Sequence, residues 1–412
     1  MTDGQGGTAP AAALSGAARS GPSWLDALTP PQPGRHAPPA SGLHDAAEGR
    51  LPYPVWTGLG ALDAMAALVA AAAPAHRCAV VTDATVAPLH LPRLLAALGA
   101  LGGGREPVVV TIPAGEAHKT RSSWAAATDA LLDAGCGRDT TVVALGGGVV
   151  GDVAGFVAAT YLRGVPIVQI PTTLLAMLDA SVGGKTGVDT PAGKNLVGAF
   201  HPPAAVVCDP TTLATLPRAD LVAGAAEAVK HGVIADERYL QAVASWLGGP
   251  DRSPTEDLEA LAALVARSVA LKAAVVAHDE REGGVRKILN FGHTIGHAVE
   301  SASGYALRHG EAVAIGMAVE AELAERAGVA TSGTAGRVRE ALAVGGLPTA
   351  LPAGLAPEEI VRRTRSDKKA RAGVVEYALP TRIGAMAEAG GRWAVPLDDA
   401  LVRAVLAARS AA

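Results

Sequence analysis

Lysine is scarce in this sequence. Only eight of its 35 basic residues are lysine (positions 119, 185, 194, 230, 272, 287, 368 and 369); the rest are arginine. Arg is the ordinary surface cation here, so each Lys marks a choice that a generic surface does not explain. An excess of basic charge is also missing: the formal net charge is −4. That balance argues against a dedicated nucleic-acid binder, which shows a basic stripe or domain. No purely apolar run approaches the roughly 20 residues of a membrane span; the longest, Ala64–Ala73, is ten residues and stops at Pro74. Cysteine is limited to Cys78, Cys136 and Cys208. An odd, widely spaced set makes neither a disulfide framework nor a zinc finger, and fits small core residues in a reducing cytoplasm.

The 412 residues suggest two to three domains at about 150 residues each. Residues 1–50 are rich in Ala, Gly, Pro and Ser and show no apolar periodicity. The expectation is a disordered extension that cannot offset its ordering entropy. It lacks the apolar h-region of a signal peptide and is too poor in Arg and Ser for a transit peptide. On this reading, removing residues 2–48 leaves activity nearly unchanged.

From Leu51 onward, short β-branched runs alternate with amphipathic stretches. Strands are expected over Cys78–Asp83, Pro107–Ile112, Thr140–Gly146, Val165–Pro171 and Ala204–Asp209, with helices near 60–73, 85–100, 122–135 and 149–162. Continuous Val/Ile strands separated by helices indicate a mostly parallel sheet covered on both faces. Beyond Leu216 the β-rich runs stop and long Ala/Leu/Val/Glu stretches follow. The expected architecture is a Rossmann-like α/β domain (51–216) followed by an all-α domain (217–412), with a site in the cleft between them.

Three groups of residues carry chemistry. The strand ending at Leu145 runs into Gly146-Gly147-Gly148-Val149-Val150-Gly151-Asp152, a G-x-G-x-x-G pattern before a helix. It serves a dinucleotide's pyrophosphate, and equally a plain turn after a buried strand. Asp83, directly after another strand, is placed for a ribose hydroxyl. The second group is Glu227 with Lys230 at i, i+3, His293 with His297 at i, i+4, and His309 in Arg308-His309-Gly310-Glu311. One carboxylate and two imidazoles make a catalytic zinc-type site with an open position; spacing leaves open which two histidines bind. The third group is the lysines. Lys185, Lys194 and Asn195 lie in a polar, glycine-rich stretch (179–200) that reads as a loop. An ammonium on a flexible stem binds phosphate or carboxylate as a point charge. Together these point to a phosphorylated, carboxylated or polyhydroxylated small molecule.

Several blocks then identify a family. Gly146–Phe156 (GGGVVGDVAGF), Tyr161–Gly164 (YLRG), Pro171–Asn195 (PTTLLAMLDASVGGKTGVDTPAGKN), Glu227–Lys230, Leu289–His297 (LNFGHTIGH), His309–Glu311 and Asp367–Lys369 closely resemble the 3-dehydroquinate synthase family, in order, over about residues 52–400. The resemblance implies Glu227, His293 and His309 as ligands of a divalent metal, zinc or cobalt. It implies that Asp83, Glu116, Lys119, Gly148, Gly151, Asp152, Thr172 and Thr173 hold NAD. Lys185, Lys230, Lys272, Arg286, Asn290 and His297 would be the catalytic groups; Arg163, Asp179, Lys194, Asn195 and Lys368 would bind substrate. The implied reaction is a carbon–oxygen lyase step of the shikimate route to aromatic amino acids. The phosphorylated keto acid 3-deoxy-arabino-heptulosonate 7-phosphate would become 3-dehydroquinate by transient oxidation, phosphate elimination, re-reduction and intramolecular aldol closure. A cytoplasmic homodimer without nucleic-acid or membrane partners is implied as well.

Three rivals stay open at this point. A sister sugar phosphate cyclase of secondary metabolism, acting on an amino-substituted substrate, would keep the same residues. A metal-dependent polyol dehydrogenase would not need the lysines. An inactive binding relative would be expected to have lost some of the site.

Overall fold

The computed structural model describes residues 19–20, 25, 28–101, 106–248, 256–366 and 374–409. In chain order the strands are β1 (Arg19–Ser20), β2 (His44–Asp45), β3 (Val55–Thr57), β4 (Arg77–Asp83), β5 (Val108–Ile112), β6 (Thr140–Gly146), β7 (Ile167–Pro171), β8 (Lys185–Thr190), β9 (Gly193–Phe200), β10 (Ala205–Cys208), β11 (Glu376–Tyr377), β12 (Pro380–Arg382), β13 (Ala385–Met386) and β14 (Val395–Pro396). The helices are α1 (Met65–Ala72), α2 (Ala87–Leu98), α3 (Arg121–Asp133), α4 (Gly148–Thr160), α5 (Arg218–Ala235), α6 (Glu237–Leu247), α7 (Leu258–His278), α8 (His293–Ala302), α9 (His309–Arg326), α10 (Thr334–Val344), α11 (Pro357–Ser366) and α12 (Asp399–Ala408).

The chain forms two compact units. The sheet unit comprises residues 29–227 and 249–277; the helical unit comprises 1–28, 228–248 and 278–412. The division therefore falls inside α5, between Glu227 and Ala228, rather than at 216, and most of α7 returns to the sheet unit.

The sheet unit is built on seven strands in the order β2-β3-β10-β7-β6-β4-β5. All pairs are parallel except β2 with β3. Strands β6, β7 and β10 are buried along their whole length, as expected for a sheet covered on both faces. Alternate residues feed two cores. Val80, Val143 and Leu145 pack with Trp56, Met65, Leu68 and Leu94 on one face. Ala79, Val81, Val142 and Ala144 pack with Leu131, Val150, Val153 and Val157 on the other. The expected strands are found where the Val/Ile runs placed them, within two residues at each end.

Residues 179–200 are not a loop. Asp179 lies in a short π-turn (Ala176–Ala180), and β8 and β9 form an antiparallel hairpin. The glycines that suggested a loop serve close packing. A Cβ at Gly198 would lie 2.0 Å from Thr186 O, and one at Gly155 would lie 2.3 Å from Thr186 Cγ2. The hairpin thus lies backbone-close on itself and on α4.

The expectation of a disordered 1–50 is corrected for its second half. β2 pairs with β3, and Ala46, Ala47 and Leu51 are buried. Asp45 organises the turn: its carboxylate accepts from the amides of Ala47 (3.1 Å), Gly49 (2.8 Å) and Val55 (2.9 Å). Trp56 Nε1 donates to His36 O at 3.0 Å. One half-buried carboxylate and a few apolar residues order a segment that composition alone assigns to disorder. In the first half, the described Arg19–Ser20 pairs with β13, and Leu25 is buried; the rest of 1–27 lies outside the described residues.

The helical unit packs α8, α9, α11 and α12 around Ile295, Val299, Ile315, Val319, Ile360, Val402 and Leu406. It is not purely helical: β11 pairs with β14, and β1, β13 and β12 make a three-stranded sheet. Helix α7 has the length and composition of a membrane span, yet it is mostly buried in the protein and carries buried Lys272. It is a core helix of the sheet unit.

Asp45→Ala is expected to lower the unfolding free energy by about 2 kcal/mol, since hydrogen bonds to a charged acceptor contribute about 1.5–3 kcal/mol. Urea denaturation followed by tryptophan fluorescence checks this. Removing residues 2–50 is expected to destabilise the protein further than Asp45→Ala does.

Candidate active site

In the sheet unit, the strand order reverses between β4 and β6: β5 lies on one side of β4, and the later strands β7 and β10 lie beyond β6. Ligands of such sheets bind outside the carboxyl ends of the strands at that switch point. Asp83 ends β4 and the glycine loop follows β6, so both nucleotide candidates flank it. Asp83 Oδ1 accepts from the amides of Thr85 (2.8 Å) and Val86 (2.9 Å); Oδ2 takes part in neither bond. Helix α4 starts at Gly148 with Gly147 as its N-cap and no side-chain cap, which suits an anion. Two glycines of the motif answer to packing as well. A Cβ at Gly151 would meet Gln169 Oε1 at 2.8 Å, and one at Gly146 would meet Val150 at 2.6 Å. Thr172 lies beside the loop, its amide donating to Gly146 O (2.9 Å), and its hydroxyl is buried with no hydrogen-bond partner. Thr173 Oγ1 accepts from Ala176 N (3.2 Å), and its methyl lies where a Cβ on Gly147 would come within 3.1 Å. An uncapped helix end and an orphaned hydroxyl fit a dinucleotide.

The lysines of this unit are paired. Lys119 is buried, forms an ion pair with Asp152, and donates to Asn195 Oδ1 at 2.5 Å. Asn195 has a left-handed φ of 54°, and its amide donates to Asp189 at 2.8 Å. Lys194 pairs with Glu116 at 3.1 Å. Five of the candidates, Glu116, Lys119, Asp152, Lys194 and Asn195, thus belong to one charged network, the last two on β9. Burial opposes the charge on Lys119, but Asp152 and Glu116 more than offset it and its pKa is raised. Burial pushes Asp152 up to about 6, against the pull of Lys119. Lys272, buried on α7, donates to Asp179 Oδ1 at 2.7 Å and to the Asp179 carbonyl. Arg163 is exposed on a turn in which Leu162, Arg163 and Gly164 all have positive φ. Glu227 is fully buried on α5.

In the helical unit, His293, His297 and His309 come together. Their ligand atoms lie within 4.8 Å of one another, and the ring centroids are 5.3–5.7 Å apart. His293 and His297 start α8 and His309 starts α9. The two helices meet at glycine: a Cβ on Gly316 would lie 1.9 Å from Gly292 O, and one on Gly296 would lie 3.0 Å from Val313 Cα. His293 Nδ1 lies 3.2 Å from Phe291 O, and His309 Nδ1 lies 3.3 Å from Glu300 Oε2. Carbonyl and carboxylate only accept, so each Nδ1 carries the proton and each Nε2 keeps its lone pair for a metal. The donor set fits a divalent ion.

Lys230 is fully buried on α5. Arg286 is buried, its guanidinium donating to Glu280 O, and Asn290 donates to Glu282 at 2.6 Å. Asp279 organises this turn by accepting from the amides of Gly283, Gly284 and Arg286. Burial works against that carboxylate, but the three amides prevail and its pKa is lowered. Lys368 lies outside the described residues. Sequence reasoning did not single out Glu300 or Glu320, which contact the start of the opposite helix. Their signal is a buried acid at helical spacing on an apolar face.

Comparison with known proteins decides the family. The model described as 3-dehydroquinate synthase N-terminal matches residues 109–223, and that described as 3-dehydroquinate synthase C-terminal matches 224–370. The chain belongs to the 3-dehydroquinate synthase family. The 3-dehydroquinate synthase of Symbiobacterium thermophilum is 49% identical over 81% of this chain and 92% of its own length. Among solved structures, 2-epi-5-epi-valiolone synthase from Streptomyces hygroscopicus subsp. jinggangensis 5008, with NAD+ and Zn2+ bound, is 30% identical with a TM-score of 0.76, covering 87% of this chain and 96% of that one. The 2-deoxy-scyllo-inosose synthase complexed with carbaglucose-6-phosphate, NAD+ and Co2+ is 27% identical with a TM-score of 0.76, covering 85% and 94%.

The raised pKa of Asp152 has a definite sign in solution. Between the ordinary carboxylate range and about pH 6, native Asp152 holds a proton that the unfolded chain has released. Its contribution to stability therefore falls as pH rises through that window. Carbon-13 NMR of the carboxyls is expected to show one aspartate titrating near pH 6, and Lys119→Met is expected to move it higher.

Proposed function

We propose that this chain is a 3-dehydroquinate synthase, converting 3-deoxy-arabino-heptulosonate 7-phosphate to 3-dehydroquinate and phosphate. The observation that carries the reading is the 49% identity to a curated 3-dehydroquinate synthase across nearly its whole length. The sister cyclases 2-deoxy-scyllo-inosose synthase and 2-epi-5-epi-valiolone synthase are matched at 27–30%, which favours the dehydroquinate synthase reaction over theirs.

When bound, NAD supplies a reversible hydride acceptor and the divalent metal, zinc or cobalt, a Lewis acid at the alcohol that is transiently oxidised. Glu227, His293 and His309 would hold the metal. Asp83, Glu116, Lys119, Gly148, Gly151, Asp152, Thr172 and Thr173 would hold the dinucleotide, with its pyrophosphate at the start of α4. Arg163, Lys194, Asn195 and Lys368 would anchor the substrate phosphate until it leaves. Lys185, Lys272 and Arg286 would hold the carboxylate and hydroxyls, with Asp179 orienting Lys272. Lys230 and Asn290 would fix the ring hydroxyls, and His297 would donate a hydrogen bond or relay a proton at the reacting carbon. Net redox change is zero, which requires the cofactor to stay bound through the cycle. A cytoplasmic homodimer completes the reading; Leu196, Val197 and Phe200, exposed on β9, are apolar surface of the kind that a second copy covers.

Phosphate release from the heptulosonate phosphate is expected to need catalytic NAD and metal, to stop with EDTA, and to leave no net NADH. Steady NADH accumulation at 340 nm would instead make the protein a dehydrogenase. His293→Ala is expected to lower kcat by at least about 100-fold with the fold intact, in line with loss of a metal ligand. Sedimentation velocity is expected to show a dimer that Phe200→Asp weakens.

A further inference from the structure

Helix α8 begins without a cap of its own: Gly292 at its N-cap has φ 80° and no side chain to offer. Its first amides are satisfied from the neighbouring helix. Glu320 of α9, fully buried, accepts from Gly292 N through Oε2 (2.7 Å) and from Ile295 N through Oε1 (3.0 Å). Those two amides bracket His293. In the other direction, Glu300 of α8, also buried, faces Nδ1 of His309 at the first position of α9 (3.3 Å). The helices are held at backbone contact by Gly292, Gly296 and Gly316.

We infer that Glu300 and Glu320 are positioning residues of the metal site, each helix carrying a buried carboxylate that fixes the histidine-bearing start of the other. The inference rests on His293 and His309 holding the metal. Glu320 sets the first turn of α8, and with it the direction in which His293 leaves the backbone. Glu300 sets the tautomer and ring angle of His309 and raises the basicity of its Nε2. Neither residue needs to touch the metal or the substrate to act.

The test is Co(II) titration of EDTA-stripped full-length protein. It reads the visible d–d spectrum and the dissociation constant against a competing chelator, with thermal unfolding measured alongside. Glu300→Ala and Glu320→Ala are each expected to weaken Co(II) by about 10–100-fold, the usual effect of losing such a partner, and to alter the d–d envelope. Glu300→Gln keeps an acceptor oxygen without the charge and is expected to lose less than Glu300→Ala. Glu320→Gln keeps one of the two amide contacts and serves the same comparison if the alanine variant does not fold. Folded variants with wild-type affinity and spectrum, even at a lowered unfolding midpoint, would overturn the inference, because a merely structural role moves only the midpoint. Wild-type protein that takes up no Co(II) would overturn the metal reading and the clamp together.

Discussion

A buried ammonium needs a counter-charge, and much of the sheet unit is arranged to supply one. Removing a charge from water costs several kcal/mol unless geometry and hydrogen bonds repay it. Lys119 meets that demand with Asp152 on α4 and Asn195 on β9, and Lys272 on α7 meets it with Asp179 after β7. These contacts join segments that are far apart in sequence. The turn after β5, the helix after the glycine loop and the hairpin are held to one another through a single nitrogen. That fits a hairpin lying so close to α4 that Gly155 has no space for a side chain. It also explains the choice of Lys over Arg: a compact ammonium on a flexible stem fits a narrow three-way contact that a planar guanidinium does not.

The same demand acts on Asp152 from the acid side. Glu116 and Asp189 crowd it, and burial disfavours its charge. Lys119 is therefore shared among several carboxylates, with Lys194 beside Glu116 taking part of that charge. The orphaned Thr172 hydroxyl lies beside the glycine loop that leads into the helix carrying Asp152.

The sheet was legible because its strands are buried on both faces and read as unbroken Val/Ile runs, a signal that composition cannot hide. The glycine loop and the i, i+4 histidines were legible because they are local. What was not legible is non-local. The stretch 179–200 looked like a loop because glycine signals flexibility as readily as it signals close packing, and only the partner backbone distinguishes the two. Residues 29–50 looked disordered because Asp45 is an ordinary acid until the three amides around it are seen. Glu300 and Glu320 look like the charged side of amphipathic helices, yet both are buried. The scarcity of lysine was a usable guide for the reason just given: Lys119, Lys230 and Lys272 are buried. It was an imperfect one, since Lys287, which no motif claims, is held in a half-buried pair with Glu376 at 3.0 Å.

The histidine cluster shows the complementary constraint. His293 is buried and His297 and His309 are half-buried, and it is the close steric fit of α8 on α9 that brings their rings together. Gly316 is the closest of the contacts involved, with no space for even one methyl group against Gly292 O. A larger residue there would separate α8 from α9 and move His309 away from His293 and His297 without changing any ligand. The histidine cluster of the helical unit is therefore specified by what is missing from side chains at the helix crossing. The charged network of the sheet unit is specified by charges that cannot be left alone. Different physics builds the two, and this is why one was signalled by rare lysines and the other by glycines set among histidines.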